Sequence, residues 1–116
     1  MTTLTAPVGV IERSVHAFTT IGLQTYGPGE NCAWKITVAN AKWISLNFET
    51  IGTGYDTLDH VDVFTGKNVL LKRLSGVATQ STLKVTGNIA IVKWTSSGLR
   101  SPYPAATGFN LRYTSG

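Results

Sequence analysis

Apolar and polar residues alternate along most of the chain with a period of two, the pattern of strands that bury one face. The alternation is clearest in residues 34–38, 44–48, 61–63, 83–85, 90–94 and 109–113. Clusters of Gly, Asn, Ser or Pro bound these segments and predict turns between them. No stretch has the 3.6-residue period of an amphipathic helix.

Eight or nine short strands, each with one apolar face, must pack those faces together to keep them from water. The sequence therefore predicts an all-β fold, a single two-sheet antiparallel β-sandwich. Residues 8–23 alternate less clearly and predict one or two edge strands. The aromatic residues that are in phase with the apolar positions are predicted to lie in the core: Trp34, Phe48, Trp94, Phe109 and Tyr113.

Trp43 is out of phase with Ile44 and Leu46. Two interpretations of this residue are open. It is either exposed, and then a candidate interface residue, or it packs at a sheet edge.

Composition narrows the function classes. With 116 residues and 42% hydrophobic residues, residues 1–116 are expected to form one domain with a real core. The single cysteine, Cys32, excludes an internal disulfide and is expected to be a buried thiol.

The ten bases are spaced mostly singly, which argues against a nucleic-acid surface. No apolar run is long enough for membrane insertion, and no signal peptide is visible in residues 1–7.

Six segments, in this order, resemble the CUB domain, an extracellular jelly-roll-like β-sandwich module that also occurs as the free-standing spermadhesins. They are Tyr-Gly-Pro-Gly-Glu-Asn-Cys-Ala-Trp-Lys-Ile at 26–36, and segments 44–48, 58–66, 73–76, 92–97 and 108–113. The last contains the closing Gly-Phe-x-x-x-Tyr. The resemblance covers about residues 20–113 and implies an extracellular or surface-associated location.

The chain departs from the family at its cysteines. CUB domains commonly have two disulfides, and Cys32 matches one of the four positions. The second pair would fall near Asp56 and at Ser75, so neither family disulfide can form. Because each disulfide would contribute about 2–4 kcal/mol, packing has to supply that stability.

The resemblance also implies a calcium site, because many CUB domains bind Ca²⁺ with three acids. Asp59 matches the second of them, Asp56 or Glu49 is the candidate for the first, and Ser96 lies near the third. Asp59 is in phase with Val61, so it is expected to point inward at a strand end, where a carboxylate needs a cation or hydrogen-bond donors. The alternative is that Asp59 accepts strand-end amides and the other acids are solvated.

The segment from Ser96 to Gly108 is about four residues longer than is usual in the family. It brings together a guanidinium, Arg100, and an aromatic ring, Tyr103, which is flanked by two prolines. Arg and Tyr are favoured at interface hot spots, and an aromatic plate suits a sugar face. The alternative is a stiff surface loop with Tyr103 packed on the sheet.

No convergent acid–base set supports catalysis, so the protein is not expected to be an enzyme. The hypothesis is a recognition or adhesion module that binds a protein or a glycan through Asp56, Asp59, Arg100 and Tyr103, with calcium assistance. A basic side chain of a protein is the leading ligand and a glycan stacked on Tyr103 is the second. The alternative is a structural or oligomerisation subunit of a surface, fibre or virion-type assembly, so a homo-oligomer stays open.

Overall fold

The computed structural model describes residues 2–14, 31–52, 60–75, 77–78, 81–95 and 108–116. In chain order, these residues form β1 (Thr2–Leu4), β2 (Gly9–Ser14), β3 (Asn31–Thr37), β4 (Trp43–Gly52), β5 (His60–Thr65), β6 (Leu70–Leu74), β7 (Val77–Ala78), β8 (Ser81–Thr86), β9 (Ile89–Thr95) and β10 (Gly108–Ser115). Within these ranges, no helix is long and apolar enough to cross a membrane.

The strands form two sheets of five. The first sheet has the order β1-β3-β9-β5-β6. In the second, β10 lies between β2 and β4, and β7 and β8 both pair with β4. The predicted two-sheet sandwich is confirmed, and β2 is one of the expected edge strands. One described pair departs from the antiparallel expectation, since the short β1 runs parallel to β3.

The inward-facing side chains of both sheets form one core. The first sheet contributes Ile36, Val61, Val63, Ala90, Val92 and Trp94, and the second contributes Ile11, Ile44, Leu46, Phe48, Val85, Phe109, Leu111 and Tyr113. Four of the five aromatic residues predicted for the core are buried there. Trp34 is only half-buried, although its ring packs edge-on against Phe109 of the second sheet. Cys32 is a free, half-buried thiol that packs against the core.

Aromatic contacts tie the two sheets together. The ring centroid of Phe109, on β10, lies 5.6 Å from that of Trp94 and 5.7 Å from that of Trp34, which are both in the first sheet. The end of β9 that contains Trp94 therefore lies over the start of β10.

Candidate binding site

One end of the sandwich collects the strand ends that flank the predicted site. His60 begins β5 and pairs in register with Thr95, the last residue of β9, and Thr95 also pairs with Asn31. In the second sheet, Gly52 at the end of β4 pairs with Gly108 at the start of β10. Because Trp94 contacts Phe109, these positions lie at the same end, which we call the loop end.

Five of the six predicted site residues belong to the two segments of sequence that connect strand ends at the loop end. Asp56 and Asp59 belong to residues 53–59, and Ser96, Arg100 and Tyr103 belong to residues 96–107; all five lie outside the described residues. The structure does bring together the residues next to two of them. His60 follows Asp59, Thr95 precedes Ser96, and the two are register partners on adjacent strands.

Glu49, the remaining predicted ligand, lies on β4 with its side chain away from the core. Its neighbour Phe48 points inward, and a β-bulge at Asn110/Leu111 leaves Glu49 without a register partner on β10. Its Oε1 accepts a hydrogen bond of 2.5 Å from Arg112 Nε, and the Glu49 side chain is 38% exposed. A calcium ion would have to compete with the Arg112 guanidinium for this carboxylate.

A buried carboxylate next to the loop end was not predicted. Asp62 lies on the outer face of the first sheet but is only 5% exposed. Arg73 on β6 donates to both of its oxygens, from Nε to Oδ1 at 2.8 Å and from Nη2 to Oδ2 at 3.0 Å. The hydrogen bond to Asp62, reinforced by Coulomb attraction, raises the pKa of Arg73 above its usual value.

His60 completes this cluster on the outer face. Its Nε2 lies 3.5 Å from Asp62 Oδ2, and its side chain is 14% exposed. Its Nδ1 is buried and has no hydrogen-bond partner among the described residues. The alternation of His60 and Asp62 with Val61 and Val63 indicates that they share a face. The strand order that brings Arg73 to them cannot be derived from that pattern.

Trp43, for which two interpretations were open, is half-buried on the outer face of the second sheet. Lys84 on the neighbouring β8 holds its Nζ 4.6 Å from the centroid of the indole ring. The C-terminal Gly116 lies close against the same ring and exchanges backbone hydrogen bonds with Trp43. The ring is therefore packed against Lys84 and Gly116 on the outer face of an interior strand rather than at a sheet edge, and part of it is accessible.

The described residues supply neither a metal cluster nor a catalytic set of their own. Across these strands and turns, no group of three or more His, Cys, Asp and Glu side chains is placed to hold a metal ion. Asp62 and His60 are close enough to interact, but the carboxylate is engaged by Arg73 through two hydrogen bonds. Residues 53–59 and 96–107, which connect the strand ends at the loop end, thus stay the candidate site. The roles of their side chains stay predictions.

Comparisons with a family model and with a curated protein agree with each other. The model of the CUB domain family matches residues 9–113. Procollagen C-endopeptidase enhancer 2 of Mus musculus is 35% identical over an alignment of 104 residues, and the match covers 78% of this chain and 25% of that protein. The chain thus spans about a quarter of the length of this curated relative.

Two solved structures share the fold. The CUB1-EGF-CUB2 domains of rat MASP-1 match with a TM-score of 0.76 at 20% identity, over 98% of this chain and 42% of that chain. The MASP-1 CUB2 domain bound to Ca²⁺ matches with a TM-score of 0.75 at 15% identity, over 97% of this chain and 96% of that chain.

Proposed function

Because the chain belongs to the CUB domain family, we propose that it is a non-catalytic recognition module that binds a partner protein through its loop end, outside the cell or at a surface. The observation that carries the proposal is the register of His60 with Thr95. It makes neighbours of the residues that follow Asp59 and precede Ser96. Two polar segments anchored side by side on a rigid sheet provide a typical place for a binding site.

Asp56, Asp59, Arg100 and Tyr103 are the proposed ligand-binding residues. The two carboxylates suit a Lys or Arg side chain of the partner, while Arg100 and Tyr103 add polar and stacking contacts. Binding of a glycan on Tyr103 would respond to salt differently from binding of a Lys or Arg side chain. Capture of a cation by exposed carboxylates weakens as salt screens it, whereas stacking of a sugar on an aromatic ring responds little.

Calcium is the proposed cofactor of this end. A solved structure with the same fold is described as bound to Ca²⁺. The donors that fit this ion in chemical type are the carboxylates of Asp59 and Asp56 and the oxygens of Ser96, since calcium prefers oxygen ligands. Glu49 fits less well because Arg112 already engages its carboxylate. When bound, the ion would hold the carboxylates in a fixed arrangement in which their remaining oxygens can accept hydrogen bonds from a partner.

Thermal unfolding with millimolar calcium and with chelator tests the cofactor. Binding to the folded state alone would raise the unfolding free energy by about 2.7 kcal/mol at a hundredfold excess of calcium over Kd. The Asp59→Asn variant should lose this gain. Glu49→Gln is the matched control and should keep most of it. Superimposable melts of the parent protein with calcium and with chelator would remove calcium from the proposal.

The recognition step needs its own probe. A capped lysine-containing peptide and its norleucine counterpart, titrated by NMR into the isotope-labelled protein, isolate the contribution of the cation. We expect the lysine peptide to perturb the amides of His60 and Thr95 at low salt, and less so at high salt. Equal perturbation by both peptides would contradict cation capture at the loop end.

A further inference from the structure

The outer edge of the first sheet carries an unusual apolar run. Val69, Leu70 and Leu71 are consecutive and are 56%, 46% and 41% exposed. Leu70 and Leu71 belong to β6, which pairs with β5 on one side only, and no described strand pairs with its other edge. Exposed apolar residues on an unpaired strand edge form a template for another strand.

A groove adjoins this run. It has a volume of about 490 Å³ and lies between the β5–β6 turn and the β8–β9 turn, at the end opposite the loop end. Its lining includes Val69 and Ile89, with Lys67 and Asn88 also contributing. The β5–β6 turn is held by hydrogen bonds from Asn68 N to Thr65 O and from Thr65 N to Val69 O. These bonds fix the side of the groove that the β5–β6 turn forms. The groove is open to solvent beside Val69, so it can receive a side chain from a strand placed along β6.

The charge around this surface has one sign. Lys67 precedes the apolar run, Lys72 follows it, and both side chains are exposed. Neither β6 nor the two turns contain an acidic residue. The nearest carboxylate on the adjoining strand, Asp62, is nearly buried and bonded to Arg73. An occupant that complements this surface has acidic side chains beside apolar ones.

We propose that the β6 edge, with its adjoining groove, binds an extended segment of a partner protein by strand addition, and that this segment alternates apolar and acidic residues. Backbone hydrogen bonds to the edge provide the binding energy in this mode, and side-chain pockets give it specificity. A second copy of this chain fits the β6 edge less well than such a segment does. Antiparallel pairing of β6 with its own copy, centred on Lys72, would set the two Lys72 side chains opposite each other, and like charges in that position are destabilising.

The test uses two capped synthetic peptides of about eight residues, one alternating valine with glutamate and the other valine with lysine. Each is titrated into the isotope-labelled protein while the backbone amides of Leu70–Leu74 are followed by NMR. We expect the valine–glutamate peptide to shift these amides and protect them from exchange. The valine–lysine peptide should bind at least about tenfold more weakly, because Lys67 and Lys72 repel it.

Two matched variants locate the site. Lys72→Glu should weaken binding of the valine–glutamate peptide about tenfold, while Lys84→Glu, the same charge change on β8 of the other sheet, should leave it unchanged. A variant with Leu70→Ser and Leu71→Ser should also lose binding. It is expected to fold because neither residue belongs to the buried core. If the double variant does not fold, Lys72→Glu still tests the site.

Three outcomes would overturn the proposal. The first is unchanged β6 amides at millimolar peptide, and the second is equal binding of both peptides. The third is self-association of the parent protein, measured by sedimentation, that is abolished by Leu71→Ser and unaffected by either peptide; this would assign the edge to a second copy. Asp59→Asn should not alter peptide binding here, so failure of the loop-end site is distinguishable from failure of this one.

Discussion

Asp62 and Arg73 are register partners on β5 and β6, and two hydrogen bonds of 2.8 and 3.0 Å join the guanidinium to both carboxylate oxygens. The pair differs from Glu49 and Arg112 in its exposure. The side chain of Asp62 is 8% exposed, whereas that of Glu49 is 38% exposed. A buried carboxylate that loses its partner remains desolvated, while an exposed one is hydrated.

The first prediction follows from this difference. Arg73→Ala should lower the midpoint of urea unfolding more than Arg112→Ala does, because only the former leaves a nearly buried carboxylate without its main donor. Arg73→Lys should recover only part of the loss. Lysine restores the positive charge, but its single ammonium cannot reproduce the bidentate geometry of the guanidinium. Equal effects of the two alanine variants would contradict the assignment of Asp62 as the structurally important carboxylate.

The pH dependence of this pair has a definite sign. The pKa of Arg73 is raised in the folded state, so its contribution is complete at every pH below the unfolded pKa and is lost only as pH rises through the folded pKa. Since arginine titrates above about pH 12, the Arg73 side of the pair should contribute no change in stability at neutral or mildly alkaline pH.

A second prediction concerns alkaline pH. Burial raises the pKa of Tyr113, and its hydroxyl donates to the carbonyl of Ala6 at 3.0 Å. The folded state thus keeps this proton after the unfolded chain has lost it. The stability that the Tyr113 phenol contributes is complete below the unfolded tyrosine pKa of about 10. This contribution falls as pH rises through the folded pKa.

Tyr113→Phe provides the measurement. At neutral pH the variant should lose about 0.5–1.5 kcal/mol of unfolding free energy with the hydrogen bond to Ala6. Above about pH 10 its stability should decline less steeply than that of the parent. Urea unfolding of both proteins at a series of pH values gives the two slopes, and parallel curves would show that the Tyr113 phenol is not the responsible group.

Much of the fold can be predicted from the sequence because burial on one face imposes a period of two. Val61 and Val63 are fully buried, and Phe48 and Leu111 face the same core. The pattern fails where a side chain is buried on the outer face. Ile91 alternates with the core residues Ala90 and Val92, yet it is 5% exposed, because it is covered on the outer face between β3 and β5.

The strand order limits how much of the candidate site can be predicted from the sequence. The acidic segment and the segment that contains Arg100 are separated in sequence, and alternation alone does not say that β5 and β9 are neighbours. The calcium site that the resemblance to CUB domains implies, with Asp59 and Ser96 near one ion, requires the two segments to meet, and the pairing of His60 with Thr95 agrees with that requirement. The bond between Asp62 and Arg73 depends on a register between β5 and β6 that no local pattern specifies.

The third prediction tests the contact between the sheets. Phe109 packs against Trp34, Trp94 and Phe48, whose ring centroids lie 5.7, 5.6 and 6.3 Å away. Phe109→Ala should therefore cost about 3–5 kcal/mol of unfolding free energy, and Phe109→Leu should cost less because it leaves a smaller cavity. Val10→Ala is the control, since Val10 is 51% exposed on the neighbouring strand. A small loss for Phe109→Ala would contradict its central place in the core.

The fourth prediction concerns the only thiol. Cys32 is free and half-buried against the core, and a chain with one cysteine cannot form an internal disulfide. The melting temperature should therefore be the same with and without a reducing agent. A drop on reduction, together with a dimer on a non-reducing gel, would instead reveal a bridge between two chains through Cys32.

The last prediction separates folding from recognition at the loop end. Arg100→Ala combined with Tyr103→Ala should leave the urea midpoint close to that of the parent, because both residues are proposed to contact a partner from the surface, and surface substitutions usually change stability by no more than about 0.5 kcal/mol. Binding of the capped lysine peptide at the amides of His60 and Thr95 should nevertheless weaken, since both side chains are proposed to contact the ligand. Asp59→Asn should weaken it further by removing a carboxylate. If the double variant binds as well as the parent, the segment 96–107 is not part of the site, and the accessible part of Trp43 beside Lys84 becomes the next surface to mutate.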